Sequence, residues 1–151
     1  MNTIFLTLLD RKANNREMIL LKNKDVNTIK NYIKNTDEFK YFYQSNINKI
    51  NEQFSKIINV NPEEINTPIF MRTFINLKYD KTKMEKFIIN TINNIKKEYS
   101  RFYKDYLDIN ENISDEEILQ ILNDNYNIKN FITTSDKFIS LCDEKIEELL
   151  N

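Results

Sequence analysis

Acidic residues near the end of the chain have a spacing that could support chemistry. Asp143 lies four residues before Glu147, and Glu144 lies four residues before Glu148, so each pair shares one side of a helix. Paired carboxylates bind Mg²⁺ or act together as acid and base. A solvated acidic helix face accounts for the same residues, and it is the interpretation we prefer.

Most enzyme chemistry needs residues that this sequence lacks. The chain of 151 residues contains no Gly, no His and a single Cys, Cys142. It therefore has no glycine-rich phosphate loop, no Ser-His-Asp or Cys-His system, and no Cys and His set for zinc. We expect a protein that is not an enzyme and has no cofactor or metal. Its Cys142 is expected to be a small buried helix residue near Leu141 and Ile146.

The segment 78–106 mixes lysines with aromatic residues, as many nucleic-acid-binding surfaces do. On a helix its apolar and aromatic residues fall on one arc, which includes Phe87, Tyr99 and Tyr106. The opposite face collects five basic residues and no acid: Lys83, Lys86, Lys97, Arg101 and Lys104. Because the aromatic and basic residues are separated, base stacking is not expected. Phosphate contact through this basic face is the alternative to a solvated lysine face.

Charge is divided unevenly along the chain. Residues 72–105 hold nine Lys or Arg and four Asp or Glu, a net of +5, whereas residues 113–151 hold three Lys and nine acids, a net of -6. Either the acidic helices cover the basic one, or the two present oppositely charged surfaces to partners. The whole-chain pI of about 5.6 argues against nonspecific nucleic-acid binding, which usually requires a basic domain.

The elements that must position these residues are predicted to be helices. Apolar residues recur at helical spacing from about residue 25 onward, and no run reaches the roughly 18 apolar residues of a membrane span. We predict an all-α, single-domain bundle of six or seven helices over residues 1–151. Residues 1–24 leave two alternatives open, because "TIFLTLL" and "EMILL" fit either short helices, which we favour, or a small N-terminal β-hairpin.

Helix starts are marked by residues whose side chains accept backbone N–H groups. The predicted start signals are Asp25, Thr36, Asn61 before Pro62, Thr67 before Pro68, Asp80, the Ser114–Glu117 capping box, and Thr134 or Ser135. Without Gly, we expect Asn to supply positive φ angles at residues 14–15, 93–94 and 123–127. The final helix is expected to carry along one side Phe138, Leu141, Cys142, Lys145, Ile146 and Leu149.

Tyrosines supply the candidate contacts with a protein partner. Three consecutive helical residues cannot all face one core, so at least one of Tyr41, Phe42 and Tyr43 is expected at the surface. Tyr103 lies near the edge of its apolar arc and is a further candidate. Aromatic residues at a surface are enriched in interface hot spots, so we assign Tyr41, Tyr43 and Tyr103 to partner binding.

By elimination, the sequence favours a non-catalytic protein that binds another protein, as an adaptor, inhibitor or assembly partner in the cytoplasm of a bacterial or host cell. The abundant Asn, Ile, Lys, Tyr and Phe have AT-rich codons, which fits a virus or mobile element. A homo-oligomer is compatible with this interpretation. The alternative is a nucleic-acid-associated protein that uses the basic face of 81–106, and a third reading is a carboxylate enzyme that uses Mg²⁺.

Overall fold

The structure, a computed structural model, describes residues 1–124 and 126–151, and only the backbone of Pro62. All regular structure within these residues is helical, which confirms the predicted all-α class. The elements are α1 (Asn2–Leu9), α2 (Asn15–Leu20), α3 (Val26–Lys34), α4 (Asp37–Ile57), a 3₁₀ turn (Pro62–Glu64), α5 (Thr67–Asn76), α6 (Lys81–Leu107), α7 (Asp115–Asn123), α8 (Ile128–Thr133) and α9 (Asp136–Leu150). Within the described residues, no helix is long and apolar enough to cross a membrane.

The described residues contain nine α-helices, whereas six or seven were predicted. Residues 1–24 form the short helices α1 and α2, so the hairpin alternative is not supported. In the connection between them, Asp10 ends α1 in a left-handed conformation, and Asn14 caps α2 together with Glu17. The six-residue α8 was not predicted, since so short a segment carries no clear periodicity.

Most predicted helix caps are confirmed by hydrogen bonds. The side chains of Asp25, Thr36, Asp80 and Ser135 accept the N–H groups of Thr28 (2.8 Å), Phe39 (3.2 Å), Lys83 (3.1 Å) and Phe138 (3.2 Å). Ser114 and Glu117 form the full capping box. Asn61 accepts the N–H of Glu63 at 3.1 Å, but the segment that follows is a 3₁₀ turn. Local signals therefore locate helix starts well.

Asn is not the main residue at left-handed backbone positions, which corrects the expectation from the missing glycines. Among the described residues, positive φ angles occur at Asp10, Asn23, Lys78, Tyr79, Asp108 and Tyr126. Residues 14–15 cap and begin α2, and residues 93–94 lie within α6. Of the segment 123–127, Asn125 lies outside the described residues. Short polar Asp tolerates this conformation nearly as well as Asn, whereas Lys and Tyr adopt it at a cost.

The chain divides into two compact units. Unit 1 comprises residues 1–53 and 67–85, and unit 2 comprises residues 54–66 and 86–151. The boundary after residue 53 lies within α4, and the boundary after residue 85 lies within α6. Unit 1 holds 13 Lys or Arg and 8 Asp or Glu, a net of +5, whereas unit 2 holds 9 and 15, a net of -6.

The core of unit 1 is made of aliphatic residues and Phe. Helix α1 packs against α3, and the buried cluster consists of Phe5, Leu9, Leu21, Ile29 and Ile33. Phe5 and Leu9 are one helical turn apart, as are Ile29 and Ile33, so each helix buries one face. Each fully buried side chain of this kind stabilises the fold by about 1.5–3 kcal/mol relative to exposure.

One buried cluster of unit 2 contains two tyrosines of α6. Tyr99, Tyr103 and Leu107 are buried together with Ile132 of α8, and α8 packs against α9. The ring of Tyr103 lies 5.0 Å from that of Tyr99 and 5.9 Å from that of Phe138, measured between centroids. Aromatic rings therefore pack together in this cluster, whereas most other buried side chains of the unit are Ile or Leu.

Candidate protein-interaction groove in unit 1

A groove on the surface of unit 1 consists of two adjoining depressions. The first has a volume of about 400 Å³ and is lined by Thr3, Ile4, Thr7, Leu8, Val26, Lys30 and Lys34. The second has a volume of about 390 Å³ and is lined by Leu8, Lys34, Phe39, Tyr43, Pro68, Met71, Arg72, Ile75 and Tyr79. Leu8 and Lys34 line both, so we treat the two depressions as one surface, the unit 1 groove.

The unit 1 groove combines apolar side chains with positive charge. Lys30, Lys34 and Arg72 are exposed, and within the described part of the chain none of them forms an ion pair. Among the same described residues, no Asp or Glu lines either depression. Such a surface favours a ligand that has apolar residues flanked by negative charge.

Helical spacing aligns the residues of the groove. Val26, Lys30 and Lys34 follow one another at intervals of four residues on α3, which places them along one side of that helix. The adjacent side of α3, with Ile29 and Ile33, is buried in the core. Burial of the apolar side therefore puts the two lysines at the edge of the core, beside α1.

Tyr79 lines the groove in a left-handed backbone conformation, with a φ of 58°. Its ring packs edge-on against Phe42 and Phe74, at centroid distances of 5.1 and 5.5 Å. Its hydroxyl donates a hydrogen bond to the carbonyl of Thr7 in α1. Burial raises the pKa of Tyr79 to about 12. These contacts offset the cost of about 1–2 kcal/mol for a left-handed non-glycine residue.

Arg11 joins α2 to α4, and α4 lines the groove through Phe39 and Tyr43. Its guanidinium donates to both carboxylate oxygens of Glu17 in α2, at 2.8 and 3.0 Å, and to both of Glu38 in α4, at 2.7 and 2.8 Å. The hydrogen bonds from Arg11 lower the pKa of both carboxyls below the ordinary 4.5. Bidentate pairing of this kind fixes orientation as well as distance, so it limits movement of α4.

The structure separates the three tyrosines predicted to contact a partner. Tyr43 lines the unit 1 groove, with its ring 5.7 Å from that of Phe39. Tyr41 is 79% exposed and lines a different, polar depression of about 420 Å³. Tyr103 is only 1% exposed, so its expected surface position is wrong. It is covered because Phe138 of α9 packs on the edge of the α6 apolar arc.

The five basic residues of α6 are all exposed: Lys83, Lys86, Lys97, Arg101 and Lys104. Lys104 forms an ion pair with Asp108 at 2.8 Å. Two residues of the predicted inward arc, Phe87 and Tyr106, are also exposed, which corrects that assignment. Tyr106 instead stacks on the neighbouring Phe102, with centroids 4.4 Å apart.

The four paired carboxylates of α9, Asp143, Glu144, Glu147 and Glu148, are all exposed. Within the described residues, no group of three or more His, Cys, Asp or Glu is arranged to hold a metal ion. Leu141 and Cys142 are partly buried against the unit 2 core. Ile146 and Leu149, which were predicted on the same side, are exposed.

A polar network in unit 2 is a second cluster of titratable side chains. The hydroxyl of Tyr99 donates to Glu117 at 3.0 Å and accepts from Lys137 at 2.9 Å, and Lys137 also pairs with Glu111 at 3.0 Å. Burial, and then the hydrogen bond to Glu117, raise the pKa of Tyr99 above its ordinary value of 10. Because these groups satisfy one another, the network joins α6, α7 and α9 as a structural element.

The sequence did not predict the groove cations Lys30, Lys34 and Arg72 as site residues. The four-residue spacing of Val26, Lys30 and Lys34 is a visible signal, but many solvated helices have it. What makes these residues a site is the apolar floor from α1, α4 and α5, which only the fold assembles.

Comparison with protein-family models, curated proteins and solved structures finds no match to this chain. The assignment of a function therefore depends on the residues and geometry of the groove.

Proposed function

We propose that the protein is a non-catalytic binding protein whose unit 1 groove takes an acidic amphipathic helix of another protein. The observation that carries the proposal is an apolar groove bordered by Lys30, Lys34 and Arg72, three cations without an ion pair among the described residues. An amphipathic helix places apolar residues at intervals of three and four along one face. Acids beside that face meet the three cations, which gives both orientation and specificity.

The contacts differ in character along the groove. Leu8, Met71 and Ile75 offer apolar surface, and Tyr43 adds an aromatic ring with a polar end. Tyr41 lies outside the groove and is proposed as an additional contact at its polar depression. The protein acts in this proposal as an adaptor, inhibitor or assembly partner, without a cofactor or metal.

The proposed setting is the cytoplasm of a bacterial or host cell. Its support is the single Cys142, which cannot form an intramolecular disulfide and is compatible with a reducing compartment. The codon bias of the abundant residues supports a virus or mobile element as the source.

A synthetic helix tests the proposal directly. The probe is a helix-stabilised peptide of about 15 residues with leucines along one face and glutamates beside them. We expect it to bind the full chain in a fluorescence anisotropy titration. The double variant K34E/R72E should weaken binding about tenfold or more, because two attractive charge contacts become repulsive.

Two controls make this result specific. The variant K22E/K24E carries the same change in charge on exposed lysines that do not line the groove, and it should keep the affinity of the unmodified chain. A peptide with lysines in place of the glutamates should bind more weakly than the acidic one. Equal loss in both double variants, or equal binding of both peptides, would contradict the proposal.

A second candidate function is association with nucleic acid through the basic face of α6. The exposure of all five basic residues favours it, whereas the net charge of -6 on unit 2 opposes it. Exchange of Lys86, Lys97 and Arg101 for Gln should weaken binding of an oligonucleotide. It should also reduce the slope of log affinity against log salt by about one for each lost phosphate contact. No binding at about 50 mM salt would end this candidate.

A further inference from the structure

Helix α9 exposes an apolar stripe. Ile139, Ile146 and Leu150 are 49%, 56% and 82% exposed. Their spacing of seven and then four residues places them along one side of the helix, and we call them the α9 stripe. The stripe is distinct from the side of α9 that packs on the unit 2 core, which carries Phe138 and Leu141.

Negative charge borders the α9 stripe. Asp143 follows Ile139 by four residues and precedes Ile146 by three, so it lies on the same side of the helix as the stripe. Glu147 lies between Ile146 and Leu150 in the sequence, at the border of that side. Both acids are exposed, and within the described residues neither forms an ion pair. Helix α9 therefore carries an uncovered apolar stripe bordered by acids, apart from the side that packs on the core.

This helix has the chemistry that the unit 1 groove requires. The groove offers apolar side chains with Lys30, Lys34 and Arg72, and the stripe offers apolar side chains with Asp143 and Glu147. Contact between two stripes, or between two grooves, would bring like charges together and is disfavoured. We propose that α9 of one copy of this protein binds in the unit 1 groove of a second copy. The inference rests on the proposed function, because it uses the same groove and the same class of occupant.

A contact of this kind joins two different surfaces. Two copies can exchange both contacts in a closed dimer, or they can form one contact and leave one groove and one α9 free, in which case further copies add to form rings or open chains. A single helix buries less than the roughly 1,600 Å² of a standard interface, so the association is expected to be weak. It weakens further with salt, because the charge contacts lie at the surface. A partner helix must displace α9, which couples partner binding to disassembly.

Sedimentation of the full chain at low salt tests the inference. We expect the average mass to rise with concentration between about 10 μM and about 1 mM. The variants K34E/R72E and D143K/E147K should each stay monomeric, since each juxtaposes like charges. An equimolar mixture of the two should associate again, because every groove then faces an α9 of opposite charge. This rescue depends on the pairing of the two surfaces and not on either surface alone.

Controls and outcomes separate this inference from the proposed function. K22E/K24E should associate like the unmodified chain, and circular dichroism should be unchanged, because all the substituted residues are exposed. A monomeric unmodified chain, or a mixture of charge-reversed variants that stays monomeric, overturns the inference. If the acidic peptide still binds a monomeric chain through Lys34 and Arg72, self-association fails while the proposed function stands. If neither the peptide nor a second copy binds, both fail.

Discussion

Unit 1 and unit 2 are both helical, yet they differ in charge and in the side chains at their centres. The core of unit 1 is made of Phe and aliphatic residues, and its principal cation, Arg11, pairs with acids at the periphery. The core of unit 2 contains Tyr99, whose buried hydroxyl needs polar partners, and Lys137 and Glu117 provide them. A buried tyrosine hydroxyl therefore takes part in the charge pairing of unit 2, whereas the Phe residues of unit 1 leave its charged groups to pair with one another.

The two units also differ in the residues that they expose. Unit 1 keeps Lys30, Lys34 and Arg72 beside an apolar groove, and its net charge is +5. In unit 2, Lys137 pairs with Glu111, acids along α9 are exposed, and the net charge is -6. The proposed self-association requires two surfaces of opposite charge on one chain.

Removal of a buried ring from the core of either unit should cause the greatest loss of stability. Phe5→Ala in unit 1 and Tyr103→Ala in unit 2 each remove a ring that is at most 1% exposed. Each should lower the free energy of unfolding by about 3–5 kcal/mol, measured by urea denaturation. Tyr41→Ala is the matched control, and since Tyr41 is exposed it should stay within about 0.5 kcal/mol.

The core variants also test whether the units are independent. Native-state hydrogen exchange should show loss of protection first in the unit that carries the substitution. A cost of less than about 1 kcal/mol for Tyr103→Ala would contradict its burial and restore it as a surface residue.

A smaller loss of stability is expected when Arg11 of unit 1 or Lys137 of unit 2 is replaced. Arg11→Met removes four hydrogen bonds to two carboxylates and should cost about 1–3 kcal/mol, because the half-buried Glu17 loses its cation. Lys137→Met removes two contacts and should cost about 1 kcal/mol, since Tyr99 keeps its bond to Glu117. The exposed neighbour Lys12→Met is the control. A larger loss from Lys137→Met than from Arg11→Met would reverse the comparison.

The Arg11 pairing also has a predictable dependence on pH. The pKa of Glu17 and of Glu38 is lowered in the folded protein by the hydrogen bonds from Arg11. A lowered pKa means that the stabilisation is present above the ordinary value of 4.5 and is lost as the pH falls below it. The difference in stability between the unmodified chain and Arg11→Met should therefore shrink at about pH 3. A difference that persists there would show that Arg11 acts through packing on Phe5 instead.

Relief of backbone strain should change the stability least. Lys78 and Asp108 have φ angles of 54° and 53°, a region that glycine enters freely. Lys78→Gly should raise the free energy of unfolding by up to about 1 kcal/mol. Asp108→Gly should gain less, because it also loses the ion pair with Lys104 at 2.8 Å. Thermal unfolding of both variants measures the difference, and destabilisation by Lys78→Gly would contradict the strain.

Local patterns predicted the helices and their starts better than they predicted the surface. Asp25, Ser114 and Ser135 cap helices as expected, because a cap is a hydrogen bond between residues three apart. The helical wheel of α6 failed for Tyr103 and Tyr106, which differ by one turn yet are buried and exposed respectively. Whether a residue at the edge of an apolar arc is covered depends on which helix packs there, and spacing alone does not specify that.

The sequence by itself determined the all-α class, most helix starts and the uneven charge. These properties depend on composition and on contacts within about one turn. Only the tertiary structure decided that Lys34 and Arg72 border one groove, that the hydroxyl of Tyr79 reaches Thr7, and that the α9 stripe is exposed. The physical reason is that these contacts join residues far apart in the chain. They arise only after the apolar faces of several helices are buried together.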